Sequence, residues 1–493
     1  MSRFDERPAQ PLLDSAYWLE TQDAPILHHD LTLADVAHIV HVAEQNILPR
    51  AIAHALLAAL LKLDQDAGFV YDPQHGDAFT NREHWLRTHV PDVAGYLATG
   101  RARREATTVA FRLRVRRDLL ALIRVLGEAQ HALLDLAIQH VETVMPDYTY
   151  LQLAHPTTFA HYLLTFVYPL RRDFVRLRDA FTLVNQSPAG IGSTNGSRLP
   201  LRRERMAGLL GFDGVITHTR DAMWQVDTPL QTVSAAATLM LHLDKLAEDL
   251  QIFNTAEFGF VELADAYARA SIIMPQKKNP YALTFVRGAA ASLLGRLTEA
   301  MAIAQTPSAQ IDNRIYAHGM IPRALELTAR SAALMVGVCS SLLVKPEAMA
   351  RWVEAGFTQA TDLAETLMQA CNLDQRTAHR MVGSLVRELL QQGKTARDIT
   401  LDKLDELANS LIGRSLQLST ETLAAALDPL AIVNTRTGIG GAAPARVHEM
   451  IAECRADVET QRGWIAETTK RLENVETRLI AHARQLAHES SAP

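Results

Sequence analysis

From Phe111 to about Val144 the residues Leu113, Leu119, Leu120, Ile123, Leu126, Leu133, Leu134, Ala137, Ile138 and Val141 recur at steps of three and four, with no proline among them. A helix that turns once in 3.6 residues lines such positions along one face, so the stretch predicts a single amphipathic helix of about nine turns. Four further Ala/Leu-rich stretches follow at Pro156 to Val184, Leu230 to Thr255, Tyr281 to Ala304 and Ile321 to Leu343. A helix this long buries its apolar stripe only against elements of similar length, so five of them imply one extended central bundle. With 24 Gly and 20 Pro in 493 residues, turn-forming residues run at about three-quarters of ordinary usage, which fits few, long elements. Strand-like alternation is scarce and no solenoid repeat appears, so the expected class is all-α.

The flanking regions read differently. Residues 1–111 contain a helical stretch from Thr32 to Lys62 and a Gly- and Asp-punctuated segment from Asp64 to Asp77, and predict an amino-terminal helical domain before a central domain at 112–359. Residues 360–493 predict a carboxy-terminal helical domain, with short helices from Ala360 to Leu411 broken at Asn372 and Gly393. A turn from Gly438 to Ala443 then leads to Pro444, well suited to the first position of a last helix reaching about Leu486. Within it Ile465, Leu472, Val475, Leu479 and Leu486 follow a coiled-coil-like spacing weakened by Thr468 and His482, so the helix packs on its own domain or on a partner helix.

A net charge of −6 offers no field for nucleic acid or anionic lipid. No stretch approaches 18 uninterrupted apolar residues, and Met1 to Ser15 lacks an apolar core, so neither a membrane span nor an export signal is expected. Cys339, Cys371 and Cys454 lie far apart, which fits a reducing cytoplasm better than a disulfide framework or a zinc site. His38, His41 and Glu44, at steps of three, drift around a helix rather than converge on a metal. Gly438, Gly440 and Gly441 follow no strand and precede no Lys-Ser/Thr pair, so they read as a helix-entry turn rather than a phosphate loop. No metal and no cofactor is expected.

The informative stretch is Ala270 to Pro280, Ala-Ser-Ile-Ile-Met-Pro-Gln-Lys-Lys-Asn-Pro, whose two prolines keep it out of helix between two long helical patterns. Such a loop at a bundle end brings a hydroxyl (Ser271), an ammonium (Lys277) and a carboxamide (Asn279) to one point, equipment for removing a proton next to a carboxylate. An ordinary loop anchored by Ile272, Ile273 and Met274 accounts for the same residues. Met274-Pro275-Gln276-Lys277-Lys278-Asn279-Pro280, however, resembles the signature loop of the fumarase/aspartase superfamily and specifically of argininosuccinate lyases. Ala98-Thr99-Gly100-Arg101-Ala102-Arg103 resembles that family's first motif and Met145-Pro146-Asp147-Tyr148-Thr149-Tyr150-Leu151-Gln152 its second. Further similar segments, Asp244 to Leu250 before Glu257 to Phe260 and Ala360 to Glu365 before Arg376 to His379, follow in the same order.

The resemblance implies a homotetramer with active sites shared between subunits, and an anti β-elimination that breaks a C–N bond and releases fumarate. On it, Ser271 is the base that takes the Cβ proton, Lys277 and Asn279 hold the resulting aci-carboxylate, and Thr149 and Gln152 contact a small carboxylate substrate. Departures from the family pattern are equally specific. Tyr150 stands where the family has a histidine associated with protonating the leaving nitrogen, and Thr284 stands where that histidine's usual glutamate partner lies. A tyrosine, with a pKa of about 10, is the weaker acid at neutral pH, and Tyr150 serves either as a replacement catalytic acid or as packing. Ala102, Arg104, Glu105 and Ala106 replace polar residues of the first motif, removing two neutral donors for a substrate carboxylate; Arg104 is a candidate to bind that carboxylate bidentately or a surface charge. Ala270 and Ile272 replace a Gly and a Ser flanking the base, a family arginine aligns with Val226, and Pro307 to Arg314 lacks the pattern for the guanidinium side. Two readings follow: a C–N lyase acting on something other than argininosuccinate, or a non-catalytic or regulatory oligomeric homologue that has lost the acid pair.

Overall fold

The computed structural model describes residues 7–308 and 314–489. The five long helices are Arg103–Gln139 (α1), Phe159–Val184 (α2), Asp227–Phe253 (α3), Tyr281–Ala304 (α4) and Ile315–Ser340 (α5). α1 packs on α2 and α5, and α3 packs on α2, α4 and α5, which closes a bundle. Leu119, Ile123, Leu126, Leu134 and Ala137 of the α1 stripe are wholly buried, and each buried leucine or isoleucine contributes about 1.5–3 kcal/mol.

The periodicity misplaces both ends of α1. The helix starts eight residues before the apolar stripe, because Glu105, Thr107, Thr108 and Arg112 are buried on its first turns, and inward polar side chains leave no hydrophobic period to read. It stops at Gln139 rather than near Val144 because an antiparallel hairpin follows, Val144–Thr149 (β1) and Gln152–Thr158 (β2). Pro156 therefore lies in β2, opposite Pro146, and not at the head of a helix. In a two-stranded ribbon each strand keeps an outer edge, where a missing N–H is tolerated. α2 begins at Phe159, capped by Thr158 Oγ1, which accepts the His161 N–H at 3.1 Å. The chain is predominantly helical, and the strands among the described residues form four two-stranded sheets.

The apolar interior has two main parts. The larger contains the bundle, the amino-terminal helices His28–Glu44 and Arg50–Asp64, and residues Val447, Ile451, Cys454, Val458, Ile465 and Leu479 of the last helix, Pro444–Glu489 (α6). α6 opens at Pro444 and lies back on Arg50–Asp64, α1 and α2, so its heptad-like face finds its partner within the chain. His29 pins it there, bonding Asp64 through Nδ1 and Glu476 through Nε2; these two carboxylates push the imidazole up to about 10. The smaller core gathers Phe357 to Ala426 from helices Ala360–Cys371, Gln375–Gln391 and Leu401–Ile412, the first of which ends on Asn372 in a left-handed cap.

Candidate active site

The stretch singled out in sequence is a second antiparallel hairpin, in which Arg269–Ala270 (β3) pairs with Lys278–Asn279 (β4). Arg269 lies opposite Asn279 and Ala270 opposite Lys278, and the Ser271 N–H donates to Lys277 O at 3.3 Å, which carries the register one pair further. Side chains on a ribbon alternate faces with period two, and directly opposed residues share a face. Ser271, Lys277 and Asn279 therefore lie on one side, together with Arg269, while Ala270 and Lys278 lie on the other. On that other side Lys278 is held by Glu262 at 3.0 Å and Asp265 at 2.7 Å, and Glu262 also binds Lys345. Lys277, exposed, makes no ion pair with the described residues.

The Ser271 hydroxyl oxygen accepts the Met274 N–H at 3.1 Å. An amide donor aimed at that oxygen favours its ionised form over the neutral alcohol, the direction a serine base requires. The turn is tied by the Lys277 N–H to Met274 O, and Asn279 Nδ2 donates to Arg269 O at 3.0 Å, leaving its other N–H for a ligand. Ile272 and Ile273 at the tip are 99% and 83% exposed, so they do not anchor the loop within this chain.

The second motif occupies the β1–β2 hairpin. Thr149 pairs with Gln152 across a two-residue turn, and both turn residues have positive φ, 55° at Tyr150 and 56° at Leu151. Bulky side chains occupy this region rarely and at a cost of about 1–3 kcal/mol each, and such strain concentrates at functional sites. The base is fixed by Tyr148, whose ring lies among Phe253, Phe258 and Phe260. The tip is open: Thr149 and Gln152 are exposed, and Tyr150 is 99% exposed. No hydrogen bond, ion pair or ring contact joins Tyr150 to Ser271, Lys277 or Asn279 within the chain.

The first motif is built inward instead. Arg101 donates to Asp35 at 2.6 Å and Arg82 to the other oxygen at 3.0 Å, all three buried. Arg104 grips Glu20 through both Nη atoms, at 2.7 and 3.1 Å. Within the chain Arg104 is therefore a largely buried ion-pair member rather than a surface charge, its Nη atoms engaged by Glu20. Glu105 accepts the Gly190 N–H at 2.6 Å, and burial pushes its carboxyl up to about 7. Thr284, at the glutamate position, turns its hydroxyl back to Pro280 O at 3.3 Å.

Of the guanidinium-side stretch, residues 309–313 lie outside the described residues. Its remainder meets the segment around Val226. Arg220 donates to Ser308, while Arg314 donates to Thr108 and Arg112 to Gln225 beside a cavity of about 20 Å³ lined by Thr108, Arg112, Gln225, Thr228 and Arg314. That volume accommodates about one water. No group of three or more His, Cys, Asp or Glu among the described residues is placed to hold a metal: His38 Nε2 is bonded to Thr99 O, His41 Nε2 to the Arg202 N–H, and Glu44 to Arg205.

Arg269 is the member of this face that sequence reading missed. Its signal was the two-residue step to Ser271, which has meaning only once Asn279 is known to pair with it.

Known proteins resemble this chain along most of its length. Residues 16–295 match the lyase family, and residues 357–434, which contain the whole smaller core, match the argininosuccinate lyase C-terminal family. An argininosuccinate lyase of Methanoculleus marisnigri is 35% identical over 484 residues, covering 96% of each chain, and one of Methanococcoides burtonii is 34% identical over 448 residues, covering 90% of this chain and 88% of the relative. Among solved structures, an EDDS lyase variant with bound fumarate superposes with a TM-score of 0.88 at 28% identity, over 99% of this chain and 98% of that one. A class II fumarase from Schistosoma mansoni, 14% identical with a TM-score of 0.71 over 87% of this chain and 96% of that one, shares the fold. With its motifs in order along the whole bundle, the chain belongs to the fumarase/aspartase superfamily of lyases and carries the C-terminal domain of argininosuccinate lyases.

Proposed function

We propose that this protein is a carbon–nitrogen lyase that releases fumarate from an N-substituted aspartate other than argininosuccinate. The observation that carries the reading is the single face of the signature hairpin, which Ser271, with an amide N–H on its oxygen, shares with Lys277, which has no ion pair among the described residues, and with Asn279, which keeps one N–H for a ligand. The Ser271 alkoxide takes the Cβ proton, and the C–H pair passes into the aci-carboxylate, whose added charge Lys277 and Asn279 stabilise. Collapse forms the C=C bond as the C–N pair leaves with nitrogen, which takes a proton from Tyr150 or water because an amide anion is too basic to be expelled. EDDS lyase, similar along almost the full length and solved with fumarate bound, supports this reaction class.

The working form is a homotetramer in the cytoplasm, with Thr149, Tyr150 and Gln152 of one subunit completing the Ser271 face of another. Support comes from the two hairpin tips, which expose Tyr150, Ile272 and Ile273 in one chain, and from the strain held at Tyr150 and Leu151. No helix among the described residues is long and apolar enough to cross a membrane.

The test is fumarate release, followed by absorbance, from a panel of N-substituted aspartates. Turnover is expected on at least one, lost by about a thousandfold or more in Ser271→Ala and reduced about tenfold to a hundredfold in Tyr150→Phe with unchanged affinity. Full activity in Tyr150→Phe makes Tyr150 packing and water the acid. Silence on every substrate favours the second reading, a non-catalytic oligomeric homologue, to which the paired replacement of the acid by Tyr150 and Thr284 lends support.

A further inference from the structure

Two carboxylates must be held when a succinyl-type substrate loses its Cβ proton, and Lys277 with Asn279 accounts for one. In the first motif Arg104 is taken by Glu20, Arg101 by Asp35 and Arg103 by Asp77, and Ala102 and Ala106 have no polar side chain. Arg269 shares the Ser271 face, directly opposite Asn279. Its guanidinium stands 5.2 Å over the Tyr281 ring and makes no ion pair with the described residues. A ring fixes the direction of a cation without neutralising it, in contrast to Lys278 on the opposite face, whose charge Glu262 and Asp265 compensate.

The spacing suits a dicarboxylate. Two residues along a strand advance about 6.6 Å, which sets the Arg269–Asn279 pair that far from the Ser271–Lys277 pair. The carboxyl carbons of an extended succinyl chain lie about 4 Å apart, within the span of long side chains reaching from the two levels. We propose that Arg269 is a specificity-determining residue that binds the second carboxylate of the substrate from the signature hairpin, in place of the donors absent from the first motif. Tyr281 is its positioning residue. The proposal rests on the lyase reading of the same hairpin and makes that reading more specific: the substrate class is a dicarboxylate, and the signature hairpin contributes a contact to each of its carboxylates.

The experiment compares succinate with butyrate, which lacks the second carboxylate, by calorimetric titration of the full-length protein. The wild type is expected to prefer succinate. Arg269→Gln is expected to weaken succinate on the order of tenfold to a hundredfold, the worth of a charged hydrogen bond, and to leave butyrate unchanged. Lys277→Met, at the shared carboxylate, is expected to weaken both. Tyr281→Leu should weaken succinate severalfold with kcat retained on a turned-over substrate, whereas Tyr281→Phe keeps the preference. Succinate binding that is indifferent to Arg269, or equal losses for succinate and butyrate in Arg269→Gln, overturns the inference while the lyase reading stands on Ser271→Ala. Absence of binding to either ligand, together with no fumarate release, overturns both.

Discussion

The stretch 98–105 and the hairpin 269–279 both resemble family motifs and each carries three arginine or lysine residues, yet the chain treats their charges in opposite ways. In the first, Arg101, Arg103, Arg104 and Glu105 each find a partner inside the same chain: Asp35, Asp77, Glu20 and the Gly190 amide. In the second, Lys278 alone is ion-paired, while Lys277 and Arg269 face outward beside Ser271. A charge with a fixed internal counter-charge is committed to holding structure, and one without it is available to a substrate. The contrast predicts that substitutions in the first region act on stability and those in the second on turnover.

The largest effect is expected at Asp35. Removing the carboxylate in Asp35→Ala leaves Arg82 and Arg101 buried without their counter-charge, which costs about 3–5 kcal/mol. Urea unfolding measures it, and a loss under 1 kcal/mol would show that the first region is not the rigid partner in this comparison.

Next come the adjacent lysines, which the ribbon sends to opposite faces. Lys277→Met is expected to lower kcat/KM by about a hundredfold to a thousandfold, the usual loss for one donor to a developing anion, with little change in melting temperature. Lys278→Met is expected to show the reverse, freeing Glu262 and Asp265 and loosening the hairpin at a stability cost of about 1 kcal/mol. Equal kinetic losses in the two variants would break the assignment of faces.

The smallest effect concerns Glu105, whose carboxyl burial holds at about 7 instead of 4.5. The folded state then binds more protons than the unfolded state between those values, so this group contributes stability that is full below pH 4.5 and is lost as pH rises through about 7. Glu105→Gln keeps an acceptor for the Gly190 N–H and is expected to flatten this slope, gaining on the order of 1 kcal/mol at pH 8 relative to pH 5. A pH dependence of the melting temperature that is identical in the two proteins would remove Glu105 from the account.

Much of this was readable without coordinates. The stripe from Leu113 to Val141 and the proline at 444 announced the bundle and the last helix, because burial of an apolar face imposes a period that the residues themselves display. Ser271, Lys277 and Asn279 were found through the motif around them, and the structure brings them to one ribbon face. The β1–β2 hairpin was not readable, since two prolines and a histidine in the 144–158 segment display no strand alternation and the pairing depends on residues several positions away.

What the sequence by itself determined is thus local and periodic: helix faces, helix stops, and a short motif whose residue types suit proton removal beside a carboxylate. Only the tertiary structure decided which charges are spent and which are free. Arg104 and Arg269 are the same residue type in similar settings of sequence, and nothing local distinguishes them. Glu20 lies 84 residues from the first and reaches both its Nη atoms, whereas the second has its guanidinium over the face of Tyr281 and no ion pair among the described residues. The physical reason is that electrostatic pairing acts through space over a few ångströms, and the chain positions that share those few ångströms are set by how the helices pack, not by their order along the chain.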